Sequence, residues 1–309
     1  MSFQLGNIGP AAPRPALPFG NRRRYLIGGM AAIACCATAK LSQAETPIRL
    51  GTTPVFLDDQ LQLLEIWRAD LQASLRRDVQ FVQRRSYGEI VDLLLRGHID
   101  AAWICGYPYV LNADRLRLLA VPQYRGEPLY QSYLIVPKAD DDTQDVRDLR
   151  DRVFAYSDPL SNSGFLVPRT ELISTHFDPL SFFRKTFFTF AHSKVVEAVS
   201  AGLASGGAVD GYVFDNIALR FPALSENVRV AWRSPDYGFP PIVISNTVAS
   251  DTVEALQEAL LKMHNRPDGR LILDRLILDR FVERGDSLYD GIRRLVQVSA
   301  GDQAGSEAT

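Results

Sequence analysis

The sequence predicts an α/β protein built from two successive strand–helix series, and three observations carry that expectation. Apolar residues switch between a period of two and a period of three to four along most of the chain. Glycines and small polar residues punctuate the switches. Two such series follow one another, and the acidic triplet Asp140-Asp141-Asp142 reads as a solvated connection. Strands alternating with helices at this pitch argue for parallel sheets covered by helices.

In chain order, residues 48–51 read as a short strand ending in the loop signal Thr52-Thr53-Pro54. Residues 61–75 place Leu61, Leu64, Trp67, Leu71 and Leu75 at helical spacing. A strand over 79–82 and a helix over 87–96 follow, with Gly97 as the helix stop. Residues 99–105 form another buried strand, which Gly106-Tyr107-Pro108 breaks. The second series opens with strands at 130–136 and 153–156. The latter leads into Asp158-Pro159-Leu160-Ser161-Asn162-Ser163-Gly164 and a helix over 165–175. Residues 187–190 lead to His192 and a helix over 194–202, and 209–214 lead to Asp215 and another helix. Residues 242–245 return as a strand, 252–263 and 270–280 close as helices, and the small, polar tail 301–309 reads as disordered.

Open α/β sheets bind ligands outside the carboxyl ends of their strands. Thr52, Cys105, Ser161, His192 and Asp215 all fall at or just past predicted strand ends, and two such rows facing each other make a cleft. Ser161, Asn162 and Ser163 also precede a helix start, where backbone N–H groups lack intrahelical partners. Their side chains cap that start or turn the same donors toward an anion.

Residues 1–44 stand apart from the fold. Asn21-Arg22-Arg23-Arg24-Tyr25-Leu26 is a twin-arginine pattern, followed by a small apolar run over 27–39 and by Ser42-Gln43-Ala44. Together they predict export with cleavage before Glu45, hence a periplasmic protein. The run is too short and too rich in Ala and Gly for a membrane span. Ala32-Ile33-Ala34 before Cys35 is a poor lipoprotein signal. Five of the 34 basic residues fall in this segment and none of the 36 acidic ones, so the remainder carries a net charge of −7. A nucleic-acid partner needs a basic face, and none is expected here. With Cys35 and Cys36 removed, Cys105 is alone and no internal disulfide forms. The four histidines lack the paired spacing of a zinc site, and there is no P-loop, nucleophile elbow or Cys/His catalytic pair. No metal, cofactor or catalysis is expected.

Six segments, in order, resemble the exported solute-binding proteins of phosphate, phosphite and phosphonate transport, the PhnD-like family. They are Ser86-Tyr87-Gly88-Glu89-Ile90-Val91 with Leu95-Arg96-Gly97-His98-Ile99-Asp100-Ala101-Ala102, then Tyr130-Gln131-Ser132-Tyr133-Leu134-Ile135-Val136, then Asp148-Leu149-Arg150-Asp151-Arg152-Val153-Phe154. The Asp158 to Gly164 loop with Pro168, Ala191-His192-Ser193-Lys194-Val195-Val196 and Gly207-Ala208-Val209-Asp210-Gly211 complete the series. The resemblance spans about residues 48–296. It implies a type II-like periplasmic binding protein whose two lobes, 45–128 with 240–300 and 129–239, close over a small oxyanion that passes to an ABC permease. Carried over by motif, Tyr87 and Tyr130 offer phenols, Ser161, Asn162 and Ser163 hold the anionic end, His192 adds a donor, and Asp210 is an acid facing the ligand. Thr52, Thr53, Tyr107 and the loop residue Asp236 are further candidates. Each has a structural reading as well: core aromatic, helix-cap neighbour or turn residue.

Cys105 departs from the pattern, because the phosphonate branch has a small residue, often glycine, near this position. A buried structural cysteine is the ordinary case, yet a cleft thiolate suits a thiophilic element. One branch of the family consists of arsenite-binding sensors that resemble this chain, depend on a cysteine in this segment and signal to a membrane sensor kinase. Two ligand readings therefore stand open, a phosphate, phosphite or phosphonate, and arsenite at Cys105. A third reading, an exported α/β hydrolase, needs Ser161 or Ser163 activated by His192.

Overall fold

The computed structural model describes residues 46–53 and 61–306, with side chains from 62 to 301 in the second stretch. The export segment 1–44, Pro54 and residues 307–309 lie outside the described residues. The elements are β1 (Ile48–Thr52), α1 (Leu61–Leu75), β2 (Val79–Gln83), α2 (Tyr87–Leu95), β3 (Ala101–Trp103), α3 (Gly106–Leu111), β4 (Leu116–Gln123), β5 (Leu129–Tyr130), β6 (Ser132–Pro137) and β7 (Val153–Tyr156). A wide helical turn, Asn162–Leu166, runs into α4 (Val167–Ser174). Then come β8 (Lys185–Phe188), α5 (His192–Ser200), β9 (Gly206–Asp210), α6 (Gly211–Arg220), α7 (Pro222–Ser225), β10 (Val228–Arg233), β11 (Tyr237–Gly238), β12 (Ile242–Ser245), α8 (Ser250–Leu261), α9 (Pro267–Leu276), β13 (Arg280–Val282) and α10 (Asp290–Ser306).

Among the described residues the strands form two main sheets, one per lobe. The first has the order β13-β4-β12-β3-β1-β2 and the second β10-β6-β9-β7-β8, while β5 and β11 pair as a two-stranded ribbon. The chain leaves the first sheet after β4 and returns to it at β12. In each sheet the strands joined by helices are parallel: β1 to β2 and β3, and β7 to β8 and β9. The sheets are nevertheless mixed, against the parallel arrangement expected from sequence. β12 slots antiparallel between β3 and β4, and β6 pairs antiparallel with β9. A strand arriving from the other lobe carries no crossover helix of its own sheet to reverse it, so it enters in the opposite sense.

Burial on both faces explains the sequence pattern of the second sheet. Along β6, Tyr133 and Ile135 pack into one apolar cluster while Leu134 and Val136 pack into another; on β7, Ala155 and Phe154 divide in the same way. A strand covered on both sides reads as a continuous apolar run with no alternation. In the first lobe Trp67 of α1 meets Trp103 of β3 edge-on, with ring centroids 5.8 Å apart, and also contacts Phe281 of β13.

Several boundaries differ from expectation. Gly106-Tyr107-Pro108 opens α3 instead of merely ending a strand, since proline is tolerated in a first helical turn. The expected strand over 130–136 splits at Gln131, whose carbonyl accepts from Gly211 N. The run 209–214 is a strand only to Asp210, which caps α6; Tyr212, Val213 and Phe214 are helical, and Asp215 sits on α6. Residues 280–282 form a strand, so the helix expected over 270–280 ends at Leu276. β4 lies in a stretch with no sequence assignment. α10 continues through 301–306, where the composition predicts disorder, and packs against both α3 and α4.

Candidate ligand-binding site

Strand order places the site. In the first sheet β2 and β3 flank β1, and in the second β8 and β9 flank β7, so each sheet has a switch point beside the first strand of its parallel set. Thr52 ends β1, and Cys105 follows β3. Facing them, the Ser157–Ser163 loop follows β7, His192 opens α5 and Asp210 ends β9. Asp210 thus occupies the strand-end position that the sequence suggested for Asp215. Asp215 instead lies outside this group, bonded to Tyr124 Oη and paired with Arg125.

The two rows meet directly. Tyr87 Oη lies 3.3 Å from His192 Nε2, and Asn162 N donates to Cys105 Sγ at 3.2 Å. Tyr87 opens α2, where Ser86 and Glu89 form a capping box, and its N–H is received by Asp158 Oδ2 across the cleft at 3.0 Å. Asn162 Nδ2 donates to Tyr130 Oη at 3.0 Å. Ser132, opposite Asp210 in the β6–β9 register, donates its hydroxyl to Ser163 O at 2.7 Å. Apart from the capping pair Ser86 and Glu89, these residues are all buried.

Burial and local bonds fix the protonation states. Asp210 N donates to His192 Nδ1 at 3.1 Å, so Nδ1 is an acceptor and the ring proton sits on Nε2. Burial lowers the His192 pKa to about 3, leaving a neutral imidazole that donates toward Tyr87. The Cys105 thiol is pushed up to about 11, chiefly by burial and against the N–H groups of Asn162 and Tyr107 that favour thiolate. Burial also raises Tyr87 and Tyr130 well above the phenol range. Asp210 caps α6 through Oδ1, which accepts from Tyr212 N at 2.9 Å and Val213 N at 3.2 Å, yet burial still raises its pKa to about 7.

Buried polar groups normally have partners. Thr52 Oγ1, Ser157 Oγ, Asn162 Oδ1 and Ser163 Oγ have none from the protein, and all four belong to this one region. Gly164 makes room for Ser157: a Cβ there would stand 1.8 Å from Ser157 Oγ. The structure thus brings together Thr52, Tyr87, Cys105, Tyr130, Asn162, Ser163, His192 and Asp210. Ser161 belongs to the same loop, but its hydroxyl accepts from Gly164 N at 2.9 Å as the cap of the wide turn. Thr53 Oγ1 is bonded to Trp103 O. Tyr107 is partly buried beside Arg169 and reaches the group through its backbone N–H on Cys105. Asp236 is exposed and lines an outer groove with Tyr124, Arg125 and Tyr212.

Three contributors were missed. Asp158 was legible as the start of the polar loop, but its reach to Tyr87 depends on the other lobe. Ser157 and Ser132 carry no local signal beyond lying at a strand end and a strand start. The hydrolase arrangement is not formed, because His192 is engaged by Tyr87 and by the Asp210 backbone, and neither Ser161 nor Ser163 bonds to it.

Comparison with known proteins identifies the family. Residues 50–289 match the family described as ABC transporter, phosphonate, periplasmic substrate-binding protein. The phosphonates-binding periplasmic protein of Escherichia coli is 25% identical over 233 residues, covering 73% of this chain and 68% of that protein. The phosphate-import protein PhnD of Mycolicibacterium smegmatis is 23% identical over 247 residues, covering 73% and 77%. A binding component of a phosphonate ABC transporter from Pseudomonas aeruginosa superposes with a TM-score of 0.76 at 21% identity, over 84% of this chain and 89% of that one. PhnD1 of Prochlorococcus marinus, solved with methylphosphonate, gives 0.73 at 20% identity, over 81% and 97%. Among the described residues no helix is long and apolar enough to cross a membrane. With two lobes, switch-point loops facing each other and a family match over most of its length, this chain belongs to the periplasmic substrate-binding proteins of phosphonate ABC transporters, a family of carriers and not of enzymes.

Proposed function

We propose that this protein captures a phosphate, phosphite or phosphonate between its lobes in the periplasm and presents it to an ABC permease. The observation that carries the reading is the convergence of three buried, unpartnered hydroxyls, Thr52 of one lobe and Ser157 and Ser163 of the other, beside two phenols and a neutral imidazole. Taking an oxyanion out of water is costly unless its oxygens receive hydrogen bonds, and neutral donors supply these without a buried counter-charge. Export through the twin-arginine segment with cleavage before Glu45 fits this role. So does opening about the two stretches that join the sheets, 124–131 and 234–241.

Cys105 favours a second reading, arsenite capture with signalling to a sensor kinase. Its sulfur lies within the group, and arsenite is a neutral acid that gains more from sulfur than from hydroxyl donors. Calorimetric titration of anion-stripped protein with methylphosphonate, phosphite, phosphate and arsenite, repeated on Cys105→Ala, separates the two. We expect one phosphorus oxyanion to bind one per chain, with its affinity changed less than about tenfold by Cys105→Ala. No heat with any of the three phosphorus ligands overturns the first reading. Arsenite binding that Cys105→Ala abolishes replaces it with the second.

A further inference from the structure

The second lobe holds a cavity of about 180 Å³ on the face of its sheet that α4 covers. Leu134 of β6, Ala208 of β9 and Trp232 of β10 form one side of it. Pro168 and Glu171 of α4, with Val146 of the single-turn helix Val146–Leu149, form the other. Clefts that take drug-sized ligands measure about 300–1,000 Å³, so this one suits a smaller molecule. Most of its wall is apolar, which asks for a compact apolar body.

Charge narrows the class of occupant. Asp145 and Arg147 border the cavity but satisfy each other: Arg147 Nε donates to Asp145 Oδ1 at 2.9 Å, and Nη2 donates to Oδ2. Ser132 and Thr175 also border it, and their hydroxyls are spent on Ser163 O and on the Glu171 and Leu172 carbonyls. The Glu171 carboxylate is left without a hydrogen bond among the described residues. Burial, and then Asp145, raise its pKa against the opposing pull of Arg147. A cation brought beside it favours the charged form and relieves that cost. A neutral occupant would bury the carboxylate further without compensation, and an anion would repel it. Trp232 adds an aromatic surface, the side chain that attracts a cation best.

We propose that this cavity is a second binding site, taking a small organic ammonium ion whose charged head pairs with Glu171 and whose apolar body rests against Trp232 and Leu134. The site does not depend on the oxyanion reading. The two regions nevertheless share a wall, because Ser132 borders the cavity and holds Ser163 O.

The test is a titration of the full chain with benzylamine, followed by calorimetry and by tryptophan emission. Trp67 and Trp103 are fully buried in the other lobe, so an occupant of this cavity acts on Trp232. We expect saturable binding of one benzylamine per chain with a change in emission. Affinity should fall about tenfold or more in Glu171→Gln, and wild type should bind the neutral benzyl alcohol weaker by a similar factor. The emission change should vanish in Trp232→Phe. No saturation below about 10 mM benzylamine overturns the proposal. So does equal affinity in Glu171→Gln, equal affinity for benzyl alcohol, or an emission change that persists in Trp232→Phe. The comparison of amine with alcohol needs no variant, so it decides the matter even where a substituted protein fails to fold.

Discussion

The two lobes bring unequal chemistry to the same place. The second lobe supplies Asn162, Ser163, His192 and Asp210, held by bonds made within that lobe: Ser132 to Ser163 O and the Asp210 backbone to His192. The first lobe contributes Thr52, Tyr87 and Cys105, and its link to the others is made across the gap, through Tyr87 to His192 and Asp158 and through Cys105 to Asn162. Behind these residues the first lobe is a packed aromatic scaffold, Trp67, Trp103 and Phe281 in mutual contact. The difference separates a cradle organised before the lobes meet from a cover that completes it. Stability and affinity should accordingly respond to different substitutions.

Trp67→Ala tests the scaffold and carries the largest expected effect. Trp67 is fully buried, so truncation should cost about 3–5 kcal/mol, read as a lowered denaturant midpoint. If that variant retained wild-type stability, the first lobe would not be the scaffold described. Ser163→Ala tests the cradle. Loss of one hydroxyl donor to a charged ligand should weaken binding by about 1.5–3 kcal/mol, while removal of an unpartnered buried hydroxyl should leave ligand-free stability unchanged or slightly raised. A stability loss comparable to the affinity loss would make Ser163 a structural residue. Tyr212→Phe is the smallest and concerns the contact between lobes, because Tyr212 Oη donates to Leu276 O. Its removal should shift affinity by about 1 kcal/mol through the balance of open and closed forms, seen as a change in small-angle scattering of the ligand-free protein. Identical scattering from wild type and variant would show that this bond does not favour closure.

The legible part of the molecule follows the same division. Periodicity gave α1 because Leu64, Trp67 and Leu71 fall on one buried face. It could not give β4, where Leu118 to Val121 are apolar without alternation, or the change from strand to helix at Asp210, where apolar residues continue on both sides. The signal available there was the cap itself, an Asp before Gly211. Among the candidate site residues, those at strand ends were readable because chain direction alone puts them at one edge. Asp158 was not, because its importance arises only when it is brought face to face with Tyr87, 71 positions away. Asp236 shows the converse: a polar residue in a plausible loop, left exposed because β11 carries Tyr237 inward and the loop before it outward.

Tyr130 belongs to two structures at once. Its backbone pairs with Tyr237 in the ribbon joining the lobes, and its phenol is held by Asn162 among the buried polar groups. The proposed pivot therefore touches the proposed ligand site. If the oxyanion is held there, any twist of the connecting strands displaces a phenol beside it, so swing and grip cannot be tuned independently, and drift in the joint would be felt at once as a change in what the protein retains.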